Sequence, residues 1–180
     1  LGNFELIKGD LIEYLEDKSN NLICHIVNDS NSLGGGVAKV LADKWPDVKS
    51  NYHKWFNGEK VSNTSGDPKL GEIQYIGCKN YKNQFVVNMV GQSTPYGPKG
   101  QTFATKSGKV NIPPIRLESL RQCMYKVAED FLSKDLYSKG YKIVSPQFGC
   151  GLAGSSFKII KGLIDECWLV NDIDVTILHL

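Results

Sequence analysis

Apolar residues along this chain follow two alternating rhythms. The opening stretch, "FELIKGDLIEYLEDKSNNLICHIVND", starts as a short apolar strand and turns at Gly9. It continues as a brief amphipathic helix through Leu11, Ile12 and Leu15, and returns as a strand from Leu22 to Val27. After a run of glycines, Val37, Val40, Leu41 and Lys44 keep helical spacing as far as Pro46. Val48, Tyr52, Trp55 and Phe56 then predict a second helix, stopped by Asn57-Gly58. Residues 60–70 read as polar loop. "EIQYIGC" and "QFVVNMV", separated by the turn-like "KNYKN", predict a hairpin. From Gly91 to Pro114 there is no periodic apolar pattern, and a loop of that length is usually functional or mobile; it could form a lid. Ile115, Leu120, Met124, Val127 and Phe131 mark one face of a long helix. "YKIVSP" is a buried strand, Phe157 to Leu169 a further amphipathic helix, and "IDVTILHL" a closing strand.

About six strands alternating with about five helices predict an α/β fold: a three-layer α-β-α sandwich around a central mixed, largely parallel sheet. The 180 residues suit a single domain spanning 1–180. Composition narrows the partners. Lys and Arg number 21 against 19 Asp and Glu, and the positive residues are scattered, so no general grip on duplex nucleic acid is expected. No apolar segment is long enough to cross a bilayer and no signal-peptide pattern is present, so no membrane partner is expected. The chain begins at Leu1 rather than Met, which reads as a trimmed chain or an excised domain. Five cysteines, an odd number lying mostly in apolar runs, suit free thiols in a reducing cytosol. The location expected is therefore cytoplasmic, or nuclear in a eukaryote. With three histidines and no C-x-x-C or H-x-x-x-H pair, neither metal nor cofactor is expected, and the chain is expected to be a monomer.

Two glycine-rich loops carry the chemistry. "NSLGGGVA" lies between the strand ending at Val27 and a helix beginning near Val37, and "PQFGCGLAGSS" between the strand ending near Ser145 and a helix beginning near Phe157. In an α/β sheet such loops gather at the carboxyl ends of the parallel strands, where helix N-termini direct free N–H groups at a crevice. Glycine lets the main chain approach a ligand and curl into an anion nest, and two facing nests fit a diphosphate. Either loop alone also reads as an ordinary tight turn. Neither is a Walker A sequence or a G-x-G-x-x-G, so the phosphates would be held by main-chain amides. Four or five charge-assisted bonds of about 1.5–3 kcal/mol each, together with burial of a base and set against an association cost of about 4–15 kcal/mol, suggest micromolar, salt-tolerant binding.

The chain resembles a macrodomain, the ADP-ribose-binding module. The likeness runs through "KGDL", "HIVNDSNSLGGGVAKVLADKWP", "VVNMVGQ", "PQFGCGLAGSSFKIIKGLIDE" and "IDVTILHL". The spacing from His25 to the glycines and the "GCGLAG" loop look closest to the branch holding the ADP-ribose 1''-phosphate phosphatases and the chromatin-remodeller ADP-ribose readers. The resemblance implies that Asp10 receives the adenine amino group and that Leu11 lies under the base. Asn28 would face the distal ribose, and Gly34, Gly35, Gly36 and Val37 would line one side of the phosphates. Gly149, Cys150, Gly151, Leu152 and Ala153 would wrap the other side, with Phe148 near the distal sugar and Gln92 bordering the pocket. Leu178 occupies a position where some relatives stack an aromatic on the adenine. Asp10 also reads as a helix cap, Asn28 as a turn residue and Cys150 as a packing residue.

In the phosphatase-like relatives a histidine matching His25 is implicated in catalysis, and a neutral imidazole there could serve as general base or acid, with Asp29 the nearby acid. A buried strand histidine held by one hydrogen bond is the other reading. Relatives that release ADP-ribose from glutamate carry an Asp where this chain has Ala153, and another hydrolase group has an acid where this chain has Ala38, which argues against both de-ADP-ribosylation routes. Two functions remain: removal of a terminal phosphate from ADP-ribose 1''-phosphate, or non-catalytic reading of ADP-ribose, an ADP-ribosylated protein or a nucleotide signal containing it. NAD or a cyclic dinucleotide is a weaker ligand alternative.

Overall fold

Strands and helices alternate along the chain, and five of the strands run the same way. The computed structural model describes residues 1–33, 35–93, 101–150 and 153–180. The elements in order are β1 (Phe4–Lys8), α1 (Leu11–Leu15), β2 (Asn21–Asn28), α2 (Gly36–Lys44), α3 (Asp47–Phe56), β3 (Ile73–Gly77) and β4 (Gln84–Gln92). They are followed by β5 (Gln101–Thr105), β6 (Gly108–Ile112), α4 (Leu117–Ser133), β7 (Lys142–Pro146), α5 (Phe157–Ile164) and β8 (Val175–His179). The main sheet has the order β1-β8-β7-β2-β4-β3. All its pairings are parallel except β3 with β4, the expected hairpin.

The sheet is covered on both faces because its strands alternate two apolar sets. Leu22 and Cys24 of β2 and Val87 and Met89 of β4 enter one core with Leu120, Cys123, Met124, Val127 and Phe131 of α4 and Ile160 and Ile164 of α5. Ile23 and Val86 face the other way, onto Leu15, Leu41 and Val48 from α1, α2 and α3. Burying each such side chain contributes about 1.5–3 kcal/mol. The layers are thus α1–α3, the sheet, and α4–α5, the three-layer sandwich that the alternation predicts.

Two expectations need correction. The stretch from Gly91 to Pro114 is not loop throughout, because β5 and β6 pair antiparallel as a hairpin separate from the main sheet. Its base is clasped where Gln92 bridges Ile115 and the Ser93 N–H donates to the Pro114 carbonyl at 2.8 Å. Five-residue strands leave no long apolar rhythm to read. The helix expected from Phe157 to Leu169 is α-helical only to Ile164; Asp165–Leu169 widen into a π turn. That turn puts the buried Trp168 ring edge-on to Phe148, 5.9 Å between centroids, and its indole N–H donates to the Met124 carbonyl at 2.9 Å.

Candidate functional site

Because β1, β8, β7, β2 and β4 are parallel, their carboxyl ends share one rim, and both glycine-rich loops leave from neighbouring strands there, β2 and β7. Between them lies a cavity of about 420 Å³. From the first loop it is walled by Asn28, Ser32, Leu33, Gly35, Gly36, Val37 and Ala38, and from the second by Gln147, Phe148, Gly149, Cys150 and Ala153. His25, Ile26, Val27 and Gln92 complete it. Among the described residues, the lining contains no Asp, Glu, Lys or Arg.

The first loop is shaped by one side chain. The Asn28 Oδ1 accepts from the Ser30 N–H (3.0 Å), the Ser30 hydroxyl (3.0 Å), the Ser32 N–H (3.4 Å) and the Tyr52 hydroxyl (2.7 Å), while its Nδ2 donates to the Ser32 carbonyl. Asn31, in the left-handed region at φ 57°, is held by α3: it accepts from the His53 ring at 2.7 Å and donates to Asn57 Oδ1 at 2.8 Å. The chain then enters α2 through Gly35, whose position as N-cap supplies no side-chain hydrogen bond. Among the described residues no side chain caps the first-turn N–H groups of α2, which sit at the cavity wall with the positive end of the helix dipole behind them.

The second loop is held by packing. Gly149 has φ +82°, and a Cβ there would lie 2.4 Å from Ile160 Cδ1, so any side chain would be strained and would have to displace Ile160. The Ser155 N–H donates to the Gly149 carbonyl at 3.0 Å, and the Ile115 N–H to the Ala153 carbonyl at 3.0 Å. Ser156 caps α5, its hydroxyl accepting from the Ile159 N–H at 3.4 Å. Burial raises the Cys150 thiol above its usual range, which disfavours the thiolate a nucleophile needs.

His25 stands in a ladder set by strand register. It lies opposite Asn88, and Asn88 opposite Gln74. Gln74 Nε2 donates to the Asn51 carbonyl (2.9 Å), and Asn88 Nδ2 donates to Gln74 Oε1 (3.1 Å) and to the Val48 carbonyl (3.4 Å). Backbone carbonyls can only accept, so both amides are oriented from α3 and Asn88 presents its oxygen to the imidazole. His25 Nε2 must then carry the proton it donates at 2.5 Å, which leaves Nδ1 as the lone-pair nitrogen, buried and, among the described residues, without a partner. Burial is the main cause that pushes the His25 pKa down to about 4, so the ring is neutral at physiological pH.

The remaining predicted residues separate into groups. Asp10 is exposed and caps α1, its Oδ1 accepting from the Glu13 N–H at 2.9 Å; neither it nor Leu11 lines the cavity. Leu178 is buried in the core beneath α1, with Leu11 packed against the same cluster, and it presents no open face to a base. Asp29 is likewise absent from the lining; its carboxylate accepts from the Ser93 hydroxyl at 3.2 Å. Gly34, Gly151 and Leu152 lie outside the described residues. The sequence reading passed over Ser32, Leu33 and Gln147 in the lining, and Tyr52, Asn88 and Gln74 behind it. Gln147 directly follows a strand end beside a glycine, a position that could have marked it. Among the described residues no group of three His, Cys, Asp or Glu side chains is placed to hold a metal, and no helix is long and apolar enough to cross a membrane.

A mixed six-stranded sheet between two helical layers, with a glycine-walled cavity at its carboxyl rim, is the macrodomain fold. Solved structures share it over nearly the whole chain. A protein from Bacteroides thetaiotaomicron is 27% identical at a TM-score of 0.77, with 99% of each chain covered. A macrodomain protein from Streptomyces coelicolor is 22% identical at a TM-score of 0.71, again with 99% of each chain covered. Thermosipho africanus DarTG, solved in complex with ADP-ribose, is 16% identical at a TM-score of 0.69, covering all of this chain and 42% of that one. No protein-family model matches the sequence, and no curated protein does.

Proposed function

We propose that this chain binds ADP-ribose, or a close derivative, in the rim cavity and acts as a reader without turnover. The observation that carries the reading is the convergence of two main-chain bends on one cavity, one of them opening a helix whose first turn has no capping side chain. Such a wall suits a diphosphate, whose oxygens accept from N–H groups and are favoured by the helix dipole. The order of the rim suits the rest of the ligand. Asp10 follows β1, the second loop follows β7, the first loop follows β2 and Gln92 ends β4, in the spatial order β1-β8-β7-β2-β4. Strand spacing of about 4.8 Å puts Asp10 roughly 14 Å from the end of β2, an adenosine's reach from the phosphates. That a protein of the same fold, Thermosipho africanus DarTG, holds ADP-ribose supports the same assignment.

Removal of a terminal phosphate is the competing reading, and the chemistry of the lining weighs against it. His25 is a neutral donor committed to Asn88 and too weak a base to activate water near neutral pH. Asp29 does not wall the cavity, and among the described residues no cationic side chain there offsets a phosphomonoester added to the diphosphate. Calorimetry against ADP-ribose, ADP and AMP tests binding: micromolar ADP-ribose affinity exceeding that for AMP is expected, and equal heats for the two would contradict distal-ribose recognition. A phosphate-release assay on ADP-ribose 1''-phosphate tests turnover. The reader assignment requires none at high protein concentration, whereas release that is lost in His25→Ala would establish the phosphatase.

A further inference from the structure

Helix α3 touches the site without lining it. Its Val48 and Asn51 carbonyls orient the Gln74–Asn88–His25 ladder, and three of its side-chain or C-cap groups, from Tyr52, His53 and Asn57, reach the segment that follows β2. Tyr52 is fully buried, and its hydroxyl shares one proton between the Asn28 carbonyl (2.8 Å) and Asn28 Oδ1 (2.7 Å). That carboxamide is the hub on which the Ser30 and Ser32 amides turn before the chain enters α2.

We infer that Tyr52 is a positioning residue: through Asn28 it holds residues 28–33 in the shape that presents the α2 N-terminus, from Gly35 on, to a ligand. The inference rests on the ADP-ribose reading for the identity of that ligand, but the holding of the loop does not depend on it. Buried between the sheet and α3, the hydroxyl fixes both the main chain and the side chain of Asn28, the last residue of β2. The ring has separate work in the core, packing on Phe56 at 4.7 Å and His53 at 5.3 Å between centroids. Tyr52→Phe therefore removes the positioning bond and keeps the packing. Without it the loop samples more conformations, and binding must first reorder them. Burial also raises the phenol well above its usual pKa, so the hydroxyl remains a donor throughout the range in which the protein would be studied.

Hydrogen exchange on the free protein is the first readout, with ADP-ribose calorimetry beside it. Tyr52→Phe is expected to speed exchange at the amides of residues 30–37 by about tenfold, to leave those of β4 and residues 147–150 unchanged, and to weaken ADP-ribose binding by about tenfold, the loss of one buried hydrogen bond. His53→Ala, which releases Asn31 and removes one ring contact of Tyr52 but leaves the Tyr52 hydroxyl bonds to Asn28, is expected to move the same amides less; it serves as the second variant if Tyr52→Phe folds poorly. Unchanged exchange at 30–37, uniform acceleration across the chain, or faster local exchange with unaltered affinity would each overturn the inference. A wild-type protein that fails to bind ADP-ribose would overturn the ligand assignment instead, and exchange in the free protein would still decide whether Tyr52 holds the loop.

Discussion

The two loops that wall the cavity use glycine for different ends. In the loop after β7, glycine answers to packing: Gly149 has Ile160 where a Cβ would be, Gly154 has Pro113 at 2.6 Å from its own, and Ser156 satisfies the helix that follows. In the loop after β2 the bonds are polar, made by Asn28 and by groups of α3, and Gly35 opens α2 in an ordinary extended conformation with no side-chain cap. One loop is a rigid wall, built as core is built. The other trades a capping bond, usually about 1 kcal/mol, for free amides at a cavity. Substitutions should therefore divide between them, with stability lost in the rigid wall and binding lost in the other.

The largest effect is expected in the packed loop. Gly149→Ala combines a left-handed backbone, about 1–2 kcal/mol, with a Cβ driven into Ile160, about 1–3 kcal/mol. A loss of roughly 2–5 kcal/mol should lower Tm by about 4–20 °C in a thermal melt. Gly35→Glu should do the reverse. Gly35 is exposed and its φ of −104° suits any residue, so Tm should stay within about 2 °C, while a carboxylate at the mouth of the amide nest should weaken ADP-ribose binding about a hundredfold or more by calorimetry. A Gly149→Ala variant that keeps its Tm, or a Gly35→Glu variant that binds normally, would break the division.

These glycines were the legible part of the site, because a run of them between a strand and a helical rhythm marks a main-chain feature in one dimension. The sandwich and its parallel sheet were legible for the same reason: apolar period alone distinguishes β2 from α2. What depended on register was not. Nothing near His25 in the sequence names Asn88 or Gln74, which meet it only because β2, β4 and β3 pair in one alignment. Tyr52 read simply as one of the helical apolar positions of α3, and its hydroxyl found Asn28 through the packing of α3 on the sheet. The β5–β6 hairpin was hidden by strands too short to repeat a pattern, and the π turn by an apolar face that continues through it.

The ladder sharpens the contrast through pH. His25 has its pKa lowered to about 4 from an ordinary 6.5, so between those values the unfolded chain holds a proton that the folded one does not. Stability is then undiminished above pH 6.5 and falls as pH drops toward 4, by roughly 2 kcal/mol at pH 5. Chemical denaturation at pH 7 and pH 5 should show this loss, and His25→Gln should remove most of it. The smallest effect belongs to the capped helix: Ser156→Ala should cost about 0.5–1 kcal/mol and leave ADP-ribose affinity unchanged, since that cap serves α5 and not the ligand.

The most direct test is an amide-resolved NMR titration of the wild-type protein with ADP-ribose. Saturable shifts are expected at residues 35–38 together with 148–150, on opposite walls of the cavity, with both sets reporting the same micromolar Kd. Shifts confined to one of the two loops, or centred on the β3 edge of the sheet, would contradict the clasping of one diphosphate between them.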